Sequence, residues 1–363
     1  MISRILSAWG IVGRTFGAWL SPAVSIVLFG VLRLVIAAGR VVDRVLTPRT
    51  GSIPIEAPIV LVGNPRSGTT FLHRYLVKHG VGVGTQLDQM LFASTIIQKL
   101  VRPFLPLMEK VSPARHHLGV AHETNLQSIE TDDAALLFRY LDGFLWYGFI
   151  LAWDEEDHSE SMRPEVRDTA ARDFEWWRSI WRRTLAEHGS GPIIAKPFTL
   201  TMRIPRFLED FPDARVIYMV RDPLDVIPST LSLVTGPLEA RFGISKLPDS
   251  VRQHWIDNVT KGIVDLYRGF HDDWTQGRIP QDKVFICRFD RLVGDFEGLM
   301  GELLEFLGIE ADEALEAQIH QTAEAQAARV SKHKYDLGRF GLDAETIREQ
   351  CAFVYDEFLG ELQ

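Results

Sequence analysis

Residues 58–70 read Pro-Ile-Val-Leu-Val-Gly-Asn-Pro-Arg-Ser-Gly-Thr-Thr. Pro58 to Val62 is a short, β-branched apolar run of the length of a buried parallel strand, and the glycines and proline behind it stop that strand in a loop. Gly68 to His79 then has the pattern of a helix, so Gly63 to Thr70 is a strand-to-helix loop. Its backbone amides point out of a helix N-terminus. With the hydroxyls of Ser67, Thr69 and Thr70 and the guanidinium of Arg66, they suit a diphosphate-like anion.

The glycines Gly63 and Gly68 keep the spacing of the phosphate-cradling loop of nucleoside triphosphatases, but Thr69 stands where that loop carries its lysine. A loop without the lysine is poorly suited to ATP hydrolysis. A second segment repeats the strand-to-helix pattern. Arg215 to Val220 is strand-like, and Arg221, Asp222, Pro223 and Asp225 lead into a helix that carries Ser229. Arg221 and Ser229 are spaced to meet one phosphate, while the bland alternative pairs Arg221 with Asp222 or Asp225.

Together these segments resemble the sulfotransferase family that uses 3′-phosphoadenosine 5′-phosphosulfate (PAPS), over roughly residues 57–358. The resemblance implies an α/β, three-layer P-loop-like fold with a central parallel sheet. It also implies that Arg66, Ser67, Gly68, Thr69 and Thr70 hold the 5′-phosphosulfate and that Arg221 and Ser229 hold the 3′-phosphate. Lys196 closes the apolar run Pro192 to Ala195, where the family carries a lysine that contacts the bridging oxygen of the donor, so it is the expected electrophilic catalyst. Ser331 to Tyr335 is similar to the tail of bacterial and carbohydrate-type members, whose basic residues, here Lys332 and Lys334, close over the 3′-phosphate. The Val284 to Phe289 strand and the Phe306-Leu307-Gly308 helix end are read as scaffold.

The chain departs from the family's small-alcohol enzymes at Phe198, which stands where they place a histidine base. Several carbohydrate-type members use a carboxylate after the first helix, and counting from Thr70 brings that position to Asp88. His116, His117, His122, Glu123 and Glu130 compete for the same role. The histidines lack zinc-site spacing, and sulfuryl transfer needs no metal, so none is expected.

Composition bounds the rest. With 363 residues, 46% of them hydrophobic and 24% charged, the chain can bury a large core. A net charge of −9 excludes an electrostatic nucleic-acid binder. The two cysteines, Cys287 and Cys351, form no framework, and a reducing compartment is the default.

Residues 1–50 form an apolar, basic-flanked segment ahead of a catalytic domain over 51–363. Thr15 to Leu32 carries no charge, Arg4 and Arg14 precede it, and Arg33, Arg40 and Arg44 follow. Basic flanks on both sides favour a helix lying in an anionic leaflet over a span, with packing on an apolar groove as the rival reading. The expectation is therefore a cytoplasmic, membrane-associated enzyme acting on a hydroxyl of a lipid, glycolipid or other amphiphile. The Asn258 sequon keeps a luminal, Golgi-type location as the alternative. Aromatic residues from Phe138 to Trp153 are either core or the wall of an acceptor pocket, and helices are expected over 164–188 and 249–274. The rival functions are a P-loop-type nucleotide phosphotransferase and a non-catalytic nucleotide-binding membrane scaffold.

Overall fold

The computed structural model describes residues 2–110, 125–189, 191–328 and 337–360. Two helices come first, α1 (Ile2–Phe16) and α2 (Leu20–Leu46), then strand β1 (Ile59–Gly63) and α3 (Thr69–Lys78). Short helices α4 (Leu87–Leu91), α5 (Thr95–Val101), α6 (Leu105–Glu109), α7 (Asp133–Tyr140) and α8 (Phe144–Phe149) follow, then the longer α9 (Ala170–His188). Strand β2 (Ile194–Ala195), α10 (Ile204–Asp210), β3 (Arg215–Val220), α11 (Pro223–Phe242), α12 (Asp249–Thr275) and β4 (Val284–Arg288) come next. The chain closes with α13 (Phe289–Gly294), α14 (Phe296–Leu307), α15 (Glu313–Ala327) and α16 (Ala344–Gln350), and a π-helical turn over Tyr355–Leu359.

The chain divides into two compact units. The first comprises Met1–Ile55, Val83–Gly191 and Leu231–Gly262, and the second Glu56–Gly82, Pro192–Thr230 and Ile263–Gln363. The division falls inside α11 and α12, so each helix contributes to both.

The second unit holds a four-stranded, all-parallel sheet in the order β2-β1-β3-β4. Parallel strands need both faces covered, which explains why β1 is buried at all five positions and reads as an unbroken apolar run. One face packs Leu72, Tyr75 and Leu76 of α3 and Phe296, Leu299, Met300 and Leu303 of α14 against Leu61, Ile217 and Met219. The apolar run at 192–195 becomes only a two-residue edge strand, paired at Ile194 and Ala195. It stops there because Pro197 cannot donate to a ladder. Gly63 has φ +115°, and a Cβ there would lie 2.3 Å from the Met219 carbonyl oxygen, so β1 can leave the sheet this close to β3 only as glycine.

The first unit is helical. Part of its aromatic stretch is core: Phe144, Tyr147 and Trp153 are buried, Trp153 stacks on Trp255 at 4.9 Å, and the Tyr147 hydroxyl donates to the Asn258 carbonyl, while Phe138, Tyr140, Trp146 and Phe149 are half-buried. Helix α9 starts at Ala170, later than the apolar pattern suggests, because the Asp168 carboxylate accepts from the Ala170 amide and fixes the first turn there. Asn258 donates its side-chain amide to the Ala152 carbonyl.

Candidate active site

The loop after β1 reaches α3 through two left-handed residues, Arg66 at φ +68° and Gly68 at φ +86°. Gly68 is required: a Cβ there would sit 2.7 Å from Leu292. The amides of the first turn of α3 have no preceding carbonyls within the helix to bond. Beside them, both polar atoms of the Asn64 side chain and the Ser67 hydroxyl are buried without a partner. Buried donors left bare are costly unless a ligand satisfies them, so the Asn64 amide nitrogen and the Ser67 hydroxyl fit an anion with several acceptor oxygens. The Gly63 amide donates to the Thr201 hydroxyl at 2.9 Å, which fixes the loop's entry.

Lys196 follows β2 directly and is only 1% exposed, yet its Nζ donates to the Thr70 hydroxyl at 2.8 Å. The ammonium therefore sits on the first turn of α3. Phe198 is buried and carries its ring 5.8 Å from the same Nζ. One turn along α3, His73 is fully buried, and its Nε2 donates to the Ile194 carbonyl at 2.8 Å. A carbonyl only accepts, so Nε2 carries the proton and Nδ1 is a bare lone pair, without a partner. Burial, with the Lys196 charge adding, pushes the His73 pKa down to about 3. Helix α3 thus grips β2 at two points, through Ile194 and through Lys196.

The second motif closes on the first. Arg66 Nε donates to Ser229 Oγ at 2.8 Å, and Arg221 Nη1 donates to the Arg66 carbonyl at 2.9 Å. The Arg66 side chain therefore stands with Arg221 and Ser229. The Arg221 guanidinium lies 4.0 Å over the Phe289 ring and pairs with the half-exposed Asp225 carboxylate at 2.9 Å. Asp222 caps α11 by accepting from the Leu224 amide, whereas Asp225 serves as the arginine's counter-ion. Tyr267 donates to the Arg221 carbonyl and Tyr355 to the Asp222 carboxylate, bracing the turn from two sides.

All of these residues belong to the second unit. Asp88 lies in the first, at the start of α4, and its Oδ1 is buried without a partner. Burial raises its pKa, and the Glu187 charge raises it further. Glu130 is also in the first unit and buried. Lys332, Lys334, His116, His117, His122 and Glu123 lie outside the described residues. Asn64, His73, Thr201 and Phe289 were not legible as site residues, because their roles depend on contacts far apart in sequence.

β1 and β3 of the parallel sheet thus each open into a strand-to-helix turn, and a buried lysine follows the edge strand beside β1. The chain belongs to the sulfotransferase family: the family described as "Sulfotransferase family" matches residues 58–313, more than half of it. It is 26% identical over 321 residues to omega-hydroxy-beta-dihydromenaquinone-9 sulfotransferase Stf3 of Mycobacterium bovis, covering 85% of this chain and 74% of that protein. The Stf3 of Mycobacterium tuberculosis matches to the same extent. Among solved structures, sulfotransferase STF9 from Mycobacterium avium superposes with a TM-score of 0.65 at 19% identity, covering 88% of this chain and 81% of that one. Sulfotransferase STF1 from Mycobacterium tuberculosis H37Rv gives 0.65 at 15% identity, with 96% and 92% coverage. The protein is a sulfotransferase with the P-loop-like fold, and the phosphotransferase and scaffold readings fall away.

Proposed function

We propose that the protein transfers a sulfuryl group from PAPS to a hydroxyl of a lipid-like acceptor held at a membrane surface. The observation that carries the donor assignment is the meeting of two anion sites through Arg66. The loop of Asn64, Ser67, Thr69 and Thr70 suits the 5′-phosphosulfate. Arg221 and Ser229, joined to Arg66, suit the 3′-phosphate.

In the reaction the acceptor oxygen forms a bond to sulfur as the bond from sulfur to the 5′-phosphate oxygen breaks. The departing adenosine 3′,5′-bisphosphate keeps the electron pair. Lys196, held on Thr70, donates to that oxygen as charge develops on it, a role in which positioning and electrostatics dominate. The acceptor proton goes to a base, for which we propose Asp88. Its raised pKa and bare buried oxygen support that role. Lys332 and Lys334 are proposed to add charge at the 3′-phosphate.

The acceptor class draws on Stf3, whose name places its sulfate on a hydroxylated menaquinone, and on the apolar N-terminal segment. A cytoplasmic, membrane-associated enzyme fits both. The test is transfer of label from [35S]PAPS to a long-chain alcohol in vesicles and to a short soluble alcohol. Faster labelling of the vesicle-borne alcohol by ten-fold or more supports the reading, and equal rates contradict it.

A further inference from the structure

Helix α2 has its polarity reversed relative to a helix of a water-soluble protein, which turns charge outward and apolar residues inward. Its inner stripe holds Ile36, Gly39 and Asp43, all buried. Arg33 donates to the Phe138 carbonyl, and Arg40 to the Ala93 carbonyl and the Ser179 hydroxyl. Asp43 accepts from the Thr95 and Ile96 amides. Gly39 lets α2 close on α5, since a Cβ there would lie 2.5 Å from Ile97. The outward face carries Leu20, Val27, Val31, Leu34, Val41 and Val45, each more than half exposed. At about 1.5 Å per residue this face runs on the order of 40 Å.

Next to it, α5 and α6 meet at a turn that exposes Leu100, Phe104 and Leu107 at 60 to 64%. Lys99 and Arg102 are exposed within the same turn. Of the six arginines in residues 1–50, Arg33 and Arg40 turn inward and Arg4 and Arg14 pair with Asp142 and Asp154, which leaves Arg44 and Arg49 exposed, in a chain whose net charge is −9. A bare apolar surface fringed by cations, on an otherwise acidic protein, is complementary to an anionic leaflet. A perpendicular α2 would drag Arg40, Asp43 and Arg183, with the helices they hold, into hydrocarbon, where unsolvated charge is costly.

Building on the membrane reading of the N-terminal segment, we infer that α2 lies in the plane of an anionic leaflet and that the α5–α6 turn inserts beside it as a second anchor. The test uses the full chain and vesicles of phosphatidylcholine and phosphatidylglycerol at 7:3, read by flotation. One variant combines Leu100→Glu, Phe104→Glu and Leu107→Glu, and another combines Val31→Glu, Leu34→Glu and Val35→Glu. Stabilisation by adenosine 3′,5′-bisphosphate confirms that each is folded. The turn variant is expected to lose vesicle binding by ten-fold or more. If it binds as wild type while the α2 variant detaches, the second anchor is wrong and the membrane reading stands. If the wild type ignores vesicles and the α2 variant converts a dimer to a monomer, a second copy covers the face and both readings fail. Orientation is read from fluorophores on Val27→Cys and Val45→Cys, which share a helix face about 27 Å apart along the axis. Equal quenching by lipid-borne nitroxides supports a helix in the plane, and unequal depths overturn it.

Discussion

Lys196 Nζ donates to Thr70 Oγ1 across 2.8 Å, which places a buried ammonium on the first turn of α3. Lys196→Ala removes the cation proposed to meet the leaving oxygen while leaving Arg66, Arg221 and Ser229 in place. The expected outcome is a fall in kcat of about 10²- to 10³-fold. Binding of adenosine 3′,5′-bisphosphate should change by less than ten-fold. Single-turnover kinetics with a parallel binding titration separate the two.

His73 makes a pH prediction. Its folded pKa, about 3, lies below the ordinary value near 6.5, so the unfolded chain binds the proton more readily between those limits. The stability it contributes is complete above about pH 6.5 and drains away as the pH falls toward 3. A His73→Gln variant keeps an amide donor for Ile194 and cannot titrate. Its melting temperature should fall less steeply than that of the wild type between pH 7 and pH 4, as followed by circular dichroism. Parallel curves would contradict the assignment.

If Arg221 holds the 3′-phosphate as proposed, Asp225 competes for it. Asp225→Asn is expected to tighten binding of the bisphosphate about three- to ten-fold, most clearly at low salt, because the half-exposed Asp225 carboxylate leaves the pair open to screening. Isothermal titration at two ionic strengths checks both the direction and the salt dependence.

Asp88 carries the opposite sign to His73. Its folded pKa is raised, so its contribution to stability is present below the ordinary carboxylate range and is lost as the pH rises through the folded value. Asp88→Asn should therefore raise the melting temperature at pH 7 and leave it little changed near pH 3. As the proposed base it should also lower kcat by about 10²- to 10⁴-fold. Gained stability with full activity would return the role of base to His116, His117, His122, Glu123 or Glu130.

The β1 and β3 runs were legible because parallel strands covered on both faces must be apolar throughout, and their loops because phosphate binding fixes glycine and hydroxyl positions. Lys196 was reachable only through the family resemblance, since its two-residue strand has no period to read. The clasp of His73 on Ile194, 121 residues apart, left no local trace. Counting apolar residues finds α2 but not its reversal, because only the fold decides that Arg33, Arg40 and Asp43 turn inward.

The proposed site for a 3′,5′-bisphosphate nucleotide is built from both loops. The most direct measurement is thermal stabilisation by adenosine 3′,5′-bisphosphate, ADP and AMP on the wild type and on Arg221→Ala. A ligand at about a hundred times its Kd adds roughly 2.7 kcal/mol to the folded state. The expected result is a shift with the bisphosphate alone, lost in the variant. An equal shift with ADP, or a bisphosphate shift that survives in Arg221→Ala, would contradict it.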